Sequence, residues 1–463
     1  MQMHVGGEWI DKSDKIDVLS PFDGSVVDTV PRGDANDVET AIQTAERGAK
    51  IMAGMTGYER YEILRKVADL MVERAGELAE VITREEGKIL AEATIEATRA
   101  SEIIALSAEE AKRLTGETIP LEGAPGVQGK LGFTVRMPCG IVAGISPFNF
   151  PLPIAGGNAI IIKPATDTPL SALKLVELFL EAGTPPEAIQ CVTGPGGEIG
   201  DTLCADRRVR KITFTGSRDV GEHICKVAGL KRVTMELGSN SPLIVMPDAD
   251  PEKVARAAAA SGYSNAGQVC ISTQRVIAHE KIYGDFLDAF EAEVAQINTG
   301  DPLAEGTRMG PMIREGDATR VAEWIQEAVS DGAELLTGGD KQDQFVTPAI
   351  LANVKPEMKI SCDEVFGPAV GVTRVNDIDE AIALANDTNY GLSAAIFTQN
   401  VDWAMKFVRE VESGNLMVNW GTQWRADLMP YGGVKESGMG KEGPKYAIEE
   451  MTELKMAVFH LDS

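Results

Sequence analysis

The sequence predicts an α/β fold built on doubly wound parallel sheets. Short apolar segments alternate with segments that carry apolar residues at helical spacing, from about residue 140 to about residue 419. The segments at 140–146 and 158–163 are continuously apolar in their interiors, which is typical of strands buried on both faces of a parallel sheet. Alternation of strand and helix at this spacing implies right-handed crossovers between parallel neighbours.

The predicted elements fall into three blocks. The first is helical after a short strand-like start, with helices over residues 35–49, 58–86 and 88–113 and an extended excursion over 118–136. The second has strands at 140–146, 158–163, 188–193 and 210–215 and helices at 168–182, 197–205 and 217–228. The third has strands at 242–246, 274–278, 333–336, 369–375, 394–397 and 415–419, helices at 251–262, 281–297, 315–331, 377–387 and 400–412, and a final strand at 449–460.

Single residues mark the ends of several predicted helices. Gly183 follows a helix at a plausible C-cap, and Asp250 and Asp377 are suitable N-caps.

The charge-free stretch 137–162 is long enough to cross a bilayer. It contains four prolines and four glycines, which a helix interior would not tolerate, so we predict two buried strands there instead.

Composition limits the classes of function. The chain has 463 residues, 44% hydrophobic and 25% charged, as expected of a soluble globular protein with more than one domain. Its net charge of −26 argues against nucleic-acid or membrane partners, because both would need clustered cations. Six cysteines and four histidines are scattered without a C-x-x-C pair, so we expect no metal site and reduced thiols in a cytoplasmic protein. The N-terminus lacks the apolar segment of a signal peptide.

Two strand-to-helix junctions suit a dinucleotide. The run from Gly194 through Gly196 to Gly200 follows a strand and opens a helix, and Phe214-Thr-Gly216-Ser217 does the same. Backbone N–H groups at such helix starts bind phosphate, although either motif alone fits a plain turn equally well. Lys163 ends a buried strand, where a side chain points into the ligand crevice of a doubly wound sheet; a snorkelling surface lysine is the alternative.

Three polar side chains stand among small, turn-forming residues. Cys270 ends N-A-G-Q-V-C, Glu236 lies in M-E-L-G, and Asn149 lies in P-F-N-F-P. A thiol and a carboxylate can make and then hydrolyse a thioester, and an amide can stabilise an oxyanion. Taken singly, each has an ordinary explanation: a small buried cysteine, an exposed ion-paired glutamate and a turn-capping asparagine.

The order of the motifs is what distinguishes the chain. P-F-N-F-P, I-K-P-A, F-T-G-S, M-E-L-G, N-A-G-Q-V-C and E-V-F-G-P follow one another, and the pattern continues to P-Y-G-G-V-K-E-S-G. This combination resembles the aldehyde dehydrogenase superfamily over nearly the whole chain. The resemblance implies two doubly wound parallel-sheet domains and a small β excursion. The dinucleotide-binding domain would comprise 1–119 and 139–232, the catalytic domain 233–434, and the oligomerisation strands and tail 120–138 and 435–463.

The resemblance also assigns roles. Cys270 is the implied nucleophile, Asn149 the oxyanion donor and Glu236 the base that activates the deacylating water. Lys163 would contact the adenosine ribose, and Glu364 would bind the nicotinamide ribose beside Phe366. The implied cofactor-binding residues are Lys163, Thr166, Gly196, Gly200, Phe214, Gly216, Ser217, Leu237, Glu364 and Phe366. The family's oligomers imply a homodimer or homotetramer.

Three departures from the family pattern have consequences. Thr166 replaces a glutamate that many NAD-preferring relatives carry, so Lys163 would meet a 2′-phosphate with no opposing charge, and we expect NADP as the preferred cofactor with NAD as the alternative. Ser239 replaces a glycine, and serine resists positive φ. The link between Asn149 and Asn158 is shorter than in relatives, which carry an additional helix there; this shortening bears on the placement of Asn149.

The substrate is predicted from the residues near the aldehyde entrance. Arg425 and Trp424 lie in G-T-Q-W-R-A-D, and Arg99 lies on a helix; either arginine would bind an anionic tail or would simply be a solvated cation. We expect a small polar or anionic aldehyde, such as lactaldehyde or glyceraldehyde. Two alternatives stay open: a CoA-acylating enzyme, which usually lacks the base that Glu236 supplies, and a catalytically silent binding or structural protein on the same scaffold.

Overall fold

The structure, a computed structural model, describes residues 1–148 and 158–461. The chain up to residue 119 forms β1 (Met3–Val5), β2 (Glu8–Ile10), β3 (Lys15–Leu19), β4 (Val26–Pro31), α1 (Ala35–Gly54), α2 (Gly57–Glu73), α3 (Ala75–Glu86), α4 (Leu90–Ala111) and β5 (Thr118–Ile119). The chain up to residue 236 adds β6 (Lys130–Pro138), β7 (Ile141–Ile145), β8 (Ala159–Lys163), α5 (Leu170–Ala182), β9 (Ile189–Cys191), α6 (Gly196–Ala205), β10 (Val209–Thr215), α7 (Arg218–Ala228) and β11 (Arg232–Glu236).

The remaining helices and strands belong mostly to a second alternating unit. They are β12 (Pro242–Val245), α8 (Pro251–Tyr263), β13 (Arg275–His279), α9 (Tyr283–Val294), α10 (Glu315–Ser330), β14 (Glu334–Thr337), β15 (Lys341–Gln342), β16 (Phe345–Val346), β17 (Ala349–Ala352), α11 (Lys359–Cys362), β18 (Ala369–Val375), α12 (Ile378–Asn386), β19 (Ser393–Phe397), α13 (Val401–Glu410), β20 (Asn415–Val418), β21 (Gly438–Met439), α14 (Pro444–Glu450) and β22 (Thr452–His460).

Two large sheets carry these elements. The first has the order β2-β1-β9-β8-β7-β10-β11-β21, and its strands from β9 to β11 are parallel. The chain runs outward from β7 through β8 to β9 and then returns to β10 and β11, so the topological switch point lies between β7 and β10. Ligands bind at the carboxyl ends of the strands beside such a point. The second sheet has the order β14-β17-β18-β13-β12-β19-β20.

The prediction of doubly wound parallel sheets is confirmed for the interior of both sheets, and the edges are mixed. β1, β2 and β21 run antiparallel in the first sheet, as does β14 in the second. β1 and β2 are joined by Gly6 and Gly7, whose φ angles of 75° and 86° permit the tight turn of a hairpin. A short hairpin can only add an antiparallel strand, which explains the direction of β2 beside β1.

Alternating side chains of the parallel strands are buried on both faces. Ile160 and Ile162 of β8 pack with the helices α2 to α5, whereas Ile161 packs on the opposite face with α1 and α6. In the second sheet, Leu243 and Ile244 of β12 separate in the same way between two clusters. This two-sided burial explains the continuous apolar runs of the sequence.

The predicted single helix over 58–86 is wrong. α2 ends at Glu73 and α3 begins at Ala75, because Arg74 leaves helical torsion angles with φ −109° and ψ 18°. The break lets Met71 and Leu78 reach the same cluster. The predicted caps are confirmed: Asp250 and Asp377 accept backbone N–H bonds at their helix starts, and Gly183 ends α5 with φ 101°.

The strand β11 bears on the division into domains. We predicted that the second domain begins at residue 233, yet β11 pairs along its whole length with β10 of the first sheet. This pairing favours a boundary after Glu236, and the division itself remains a prediction.

A separate three-stranded sheet joins β5, β6 and β22, with Thr452 opposite Pro138 and His460 opposite Lys130. No helix within residues 1–148 and 158–461 is long and apolar enough to cross a membrane.

Candidate active site

Cys270 follows a stretch of left-handed backbone at the end of α8. Asn265, Ala266 and Gly267 have φ angles of 49°, 54° and 69°. A Cβ on Gly267 would overlap the carbonyl oxygen of Gly367, so only glycine fits at that position. The tight turn presents Cys270 on a short loop between α8 and β13.

Carboxylates from the first unit hold this loop. Glu92 of α4 accepts hydrogen bonds from the Ser264 hydroxyl at 2.8 Å and from the backbone N–H of Asn265 at 3.0 Å. Glu86, at the end of α3, accepts from the side-chain amide of Asn265 at 2.7 Å. The strained backbone before Cys270 is therefore fixed by groups that come from another part of the chain.

Glu236 is a buried carboxylate at the carboxyl end of β11. Neither of its carboxylate oxygens has a hydrogen-bond partner among the residues that the structure describes. Burial raises its pKa well above the ordinary value; the charge of Glu442 adds to the effect, and Arg425 and Lys441 oppose it. Its Oε1 lies against the Cα of Gly432, where an added Cβ would be only 2.7 Å away. A carboxylate whose pKa is raised in this way is a stronger base than an ordinary glutamate.

The Cys270 thiol contacts the hydroxyl of Tyr431. The distance from Sγ to Oη is 3.3 Å. Burial raises the pKa of the thiol to about 12; the hydrogen bond from Tyr431 acts in the opposite direction, and the charges of Glu236, Glu364 and Glu442 raise it further. The structure therefore places Cys270, the predicted nucleophile, in a site where a thiolate would need specific stabilisation.

An arginine lies behind the Tyr431 ring. The Arg425 guanidinium is 4.1 Å from the ring centroid, and its Nη1 donates to Glu442 at 3.1 Å. Its Nε is buried and has no partner within the described part of the chain. Of the residues predicted to bind substrate, Arg425 thus reaches the surroundings of Cys270. Arg99 is instead paired with Asp427 at 2.7 Å, and the Trp424 side chain is half exposed.

Lys163 lies at the carboxyl end of β8, as its predicted role requires. Its Nζ donates to the backbone carbonyl of Pro164 at 2.7 Å, and burial lowers its pKa to about 8. A Cβ on Gly196, at the start of α6, would be 3.8 Å from the lysine Cε. Thr166 donates from its hydroxyl to the carbonyl of Gly194 at 3.4 Å. These residues lie together beside the topological switch point.

The end of β10 shows the open geometry that a pyrophosphate needs. A Cβ on Gly216 would lie 2.5 Å from the ring of Phe214, so only glycine fits there and no side chain covers the main chain at this position. Ser217 is the N-cap of α7 and its side chain makes no capping bond, which leaves the N–H groups of this helix start available to an anion. Gly200 differs from Gly216, because it lies inside α6 and a Cβ added to it would meet no described atom within 4 Å outside the helix backbone. Leu237 packs on Gly221 of α7.

Glu364 and Phe366 lie on the opposite side of the crevice. Glu364 accepts the backbone N–H of Ser239 at 2.8 Å, and burial raises its pKa to about 7. Phe366 packs edge-on against Phe148 with ring centroids 5.9 Å apart. Ser239 does not adopt a positive φ, so the strain expected from replacing glycine does not arise. Asn149 lies outside the described residues.

Two parts of the site were not predicted as functional. Tyr431 and Glu442 are neighbours across a short backbone bridge, in a segment whose motif served only to support the family resemblance. Nothing in the sequence distinguishes Glu86 and Glu92 from the other glutamates of the predicted helices. Among the described residues, no three histidine, cysteine or carboxylate side chains are grouped so that they could hold a metal ion.

Comparison with known proteins agrees with the motifs. The model of the family described as "Aldehyde dehydrogenase family" matches residues 9–457. The chain is 45% identical to a 3-sulfolactaldehyde dehydrogenase of Priestia aryabhattai, covering 99% of this chain and 98% of that protein. It is 38% identical to a lactaldehyde dehydrogenase of Methanococcus maripaludis, covering 99% and 100%. A solved NADP-dependent glyceraldehyde-3-phosphate dehydrogenase from Bacillus halodurans, complexed with NADP, is 34% identical with a TM-score of 0.97, covering 100% and 99%.

Proposed function

Because the chain belongs to the aldehyde dehydrogenase family, we propose that it oxidises a small polar or anionic aldehyde to the carboxylic acid with NADP. One observation carries the assignment of its reaction centre. The hydroxyl of Tyr431 contacts the Cys270 sulfur, and the Cα of the next residue, Gly432, lies against the carboxylate of Glu236. Two consecutive residues thus bring the thiol and the carboxylate into one buried site.

In the proposed reaction, the Cys270 thiolate attacks the aldehyde carbon and forms a C–S bond, leaving an alkoxide on the former carbonyl oxygen. We propose that the Cys270 backbone N–H and the Asn149 amide stabilise this alkoxide. The bound nicotinamide supplies the hydride acceptor for the oxidation to the thioester. Glu236 then takes a proton from water as the water attacks the thioester carbon, and the thiolate of Cys270 leaves.

The cofactor would lie at the carboxyl ends of β8 and β10. Gly216 and the start of α7 would receive the pyrophosphate, and Lys163 would meet the adenosine ribose. Asp167 is ion-paired with Arg314, and Thr166 carries no charge, so the lysine cation has no direct carboxylate partner among the described residues. This supports a 2′-phosphate at that position, and therefore NADP over NAD.

An anionic or hydroxylated substrate tail would meet Arg425. The unpaired, buried Nε of this arginine is a donor that needs an acceptor. The similarity to a 3-sulfolactaldehyde dehydrogenase and to a lactaldehyde dehydrogenase makes three-carbon aldehydes, with or without a sulfonate, the first substrates to try. Both arginines are ion-paired, Arg99 with Asp427 and Arg425 with Glu442. Arg425 is the stronger candidate because its guanidinium lies against Tyr431, which contacts Cys270.

We further propose a homodimer or homotetramer in the cytoplasm. The sheet of β6 and β22 exposes apolar side chains, among them Leu131, Leu454 and Phe459, which a second copy would cover. All six cysteines are free, which suits a reducing compartment. Light scattering coupled to gel filtration tests the oligomer; a monomer at micromolar concentration would contradict it.

The reaction is tested with purified protein, short aldehydes and either cofactor, following the reduced nicotinamide by absorbance. Cys270→Ala should abolish oxidation while NADP still binds. Glu236→Gln should give a burst of reduced cofactor followed by slow turnover, because the thioester accumulates. Continued oxidation by Cys270→Ala would refute the mechanism. Stimulation by CoA with an acyl-CoA product would instead support the CoA-acylating alternative.

A further inference from the structure

Tyr431 occupies a position in the site that the reaction outlined above leaves unused. The residue is buried, with 4% of its surface exposed, and its hydroxyl is 3.3 Å from the Cys270 sulfur. The structure gives this sulfur no other hydrogen-bond partner within residues 1–148 and 158–461. Its ring is covered by the Arg425 guanidinium, which Glu442 holds by a hydrogen bond.

The charges around Cys270 make a hydrogen-bond donor necessary. Three carboxyl groups face the thiol from separate segments: Glu236 at the end of β11, Glu364 before β18 and Glu442 before α14. Each opposes formation of the negative thiolate. The guanidinium of Arg425 lies over the tyrosine ring, whereas the phenol hydroxyl is within hydrogen-bond distance of the sulfur and can act on it directly.

We propose that Tyr431 is a catalytic residue, whose hydroxyl donates a hydrogen bond to the Cys270 thiolate, and that Arg425 strengthens this donor. Between a neutral thiol and a phenol, either group can donate the hydrogen bond. A thiolate has no proton, so it can only accept a hydrogen bond from the phenol. A cation over the ring withdraws electron density from it and so makes the O–H a better donor. The inference rests on the proposed function only where it takes Cys270 as the nucleophile.

The expected effect follows from the strength of such bonds. Hydrogen bonds to charged groups are worth enough to change the thiol ionisation constant by about tenfold. A less stable thiolate is also more nucleophilic, by about threefold for a tenfold change in acidity. Loss of the Tyr431 hydroxyl should therefore slow alkylation of Cys270 by about three- to fourfold at any fixed pH below the thiol pKa.

The test is the rate of carbamidomethylation of Cys270 by iodoacetamide in Tyr431→Phe and in the parent protein, at several pH values, without substrate or cofactor. Mass spectrometry of the peptide that contains Cys270 separates its reaction from that of the other five cysteines. The assay needs no dehydrogenase activity, so its outcome is independent of which aldehyde the enzyme uses.

Tyr283→Phe is a matched control. Tyr283 is equally buried at 4% exposure, carries the Arg374 guanidinium 4.3 Å from its ring, and accepts the backbone N–H of Asn353 through its hydroxyl at 2.9 Å. It lies in α9, away from Cys270. Its replacement removes a comparable hydroxyl and should leave the alkylation profile of Cys270 unchanged. Equal profiles for Tyr431→Phe and the parent, or equal slowing in both variants, would overturn the proposal.

A double-mutant cycle tests the contribution of Arg425. Arg425→Gln should slow alkylation in the parent protein and have a smaller effect when Tyr431 is already phenylalanine, because the cation then has no hydroxyl to strengthen. Strictly additive effects would refute this part. If the parent protein oxidised no aldehyde with either cofactor, the proposed function would fail, whereas the effect of Tyr431 on alkylation of the Cys270 thiol would persist; the two failures are therefore distinguishable.

Discussion

Glu364 is a buried carboxylate that we expect to lower the stability of the free protein above neutral pH. Its Oε1 accepts one hydrogen bond, from the Ser239 backbone at 2.8 Å, and a Cβ on Gly238 would overlap its other oxygen. Burial raises its pKa from 4.5 to about 7. Glutamine keeps the acceptor for Ser239 and has the same shape, so Glu364→Gln isolates the effect of the charge.

The sign and size follow from proton linkage. The folded protein holds the Glu364 proton up to about pH 7, whereas the unfolded chain releases it near 4.5, so the folded state binds more protons in between and loses stability as the pH rises. At about 1.4 kcal/mol per pH unit, the loss is complete near pH 8 and amounts to about 3 kcal/mol. The glutamine variant avoids this loss. It should be more stable than the parent by about 3 kcal/mol at pH 8 and by about 1 kcal/mol at pH 5.

The assay is urea unfolding of the cofactor-free protein at pH 5 and pH 8, followed by tryptophan fluorescence. The exposed Glu122 supplies a control: Glu122→Gln should change the free energy of unfolding by only a few tenths of a kcal/mol at either pH. The reasoning is refuted if Glu364→Gln changes stability equally at both pH values, or if it destabilises the protein at pH 8. The same variant should bind NADP less tightly if Glu364 contacts the nicotinamide ribose, so stability and binding should change in opposite directions.

Three further substitutions test how the site is built. Gly267→Ala should destabilise the protein by at least about 3 kcal/mol, since its Cβ would overlap the Gly367 carbonyl at positive φ; an unchanged urea midpoint would contradict this. Glu92→Leu should cost about 1–3 kcal/mol and lower kcat with little change in NADP affinity, because it removes the acceptor of both the Ser264 hydroxyl and the Asn265 N–H; full kcat would argue that the loop needs no such anchor. Lys163→Met should weaken NADP at least tenfold and NAD less, measured by fluorescence titration; equal losses would exclude a 2′-phosphate contact.

The sequence predicts the sheets better than it predicts the contacts of the site. The strand at 369–375 is confirmed to the residue, because a valine-rich segment lies between Gly367-Pro368 on one side and Asn376-Asp377 on the other. Lys163 and Gly216 lie at strand ends for the same reason: the parallel topology fixes where those ends meet. Contacts such as Tyr431 with Cys270 join distant parts of the chain, and no local pattern encodes them.

The pKa values and hydrogen-bond partners of the site residues were still harder to predict from the sequence. M-E-L-G marks Glu236 as a candidate base, but it does not show that burial raises its pKa or that its oxygens have no hydrogen-bond partner among the described residues. Those properties arise from burial by segments that only the fold assembles. The break between α2 and α3 was missed for a related reason. Arg74, where the helix breaks, is neither glycine nor proline, and the break is set by packing.

In the proposed reaction, burial of the site favours the role of Glu236 and opposes that of Cys270. Glu236 needs a raised pKa to accept a proton from water, and burial without hydrogen-bond partners provides it. Cys270 needs a lowered pKa to attack, and the same burial, together with the charge of Glu236, raises it. A single dielectric environment cannot satisfy both, so a directed donor must act on the sulfur while leaving the carboxylate alone. The hydroxyl of Tyr431 meets this condition, because it points at the sulfur while only the bare Cα of Gly432 approaches the carboxylate.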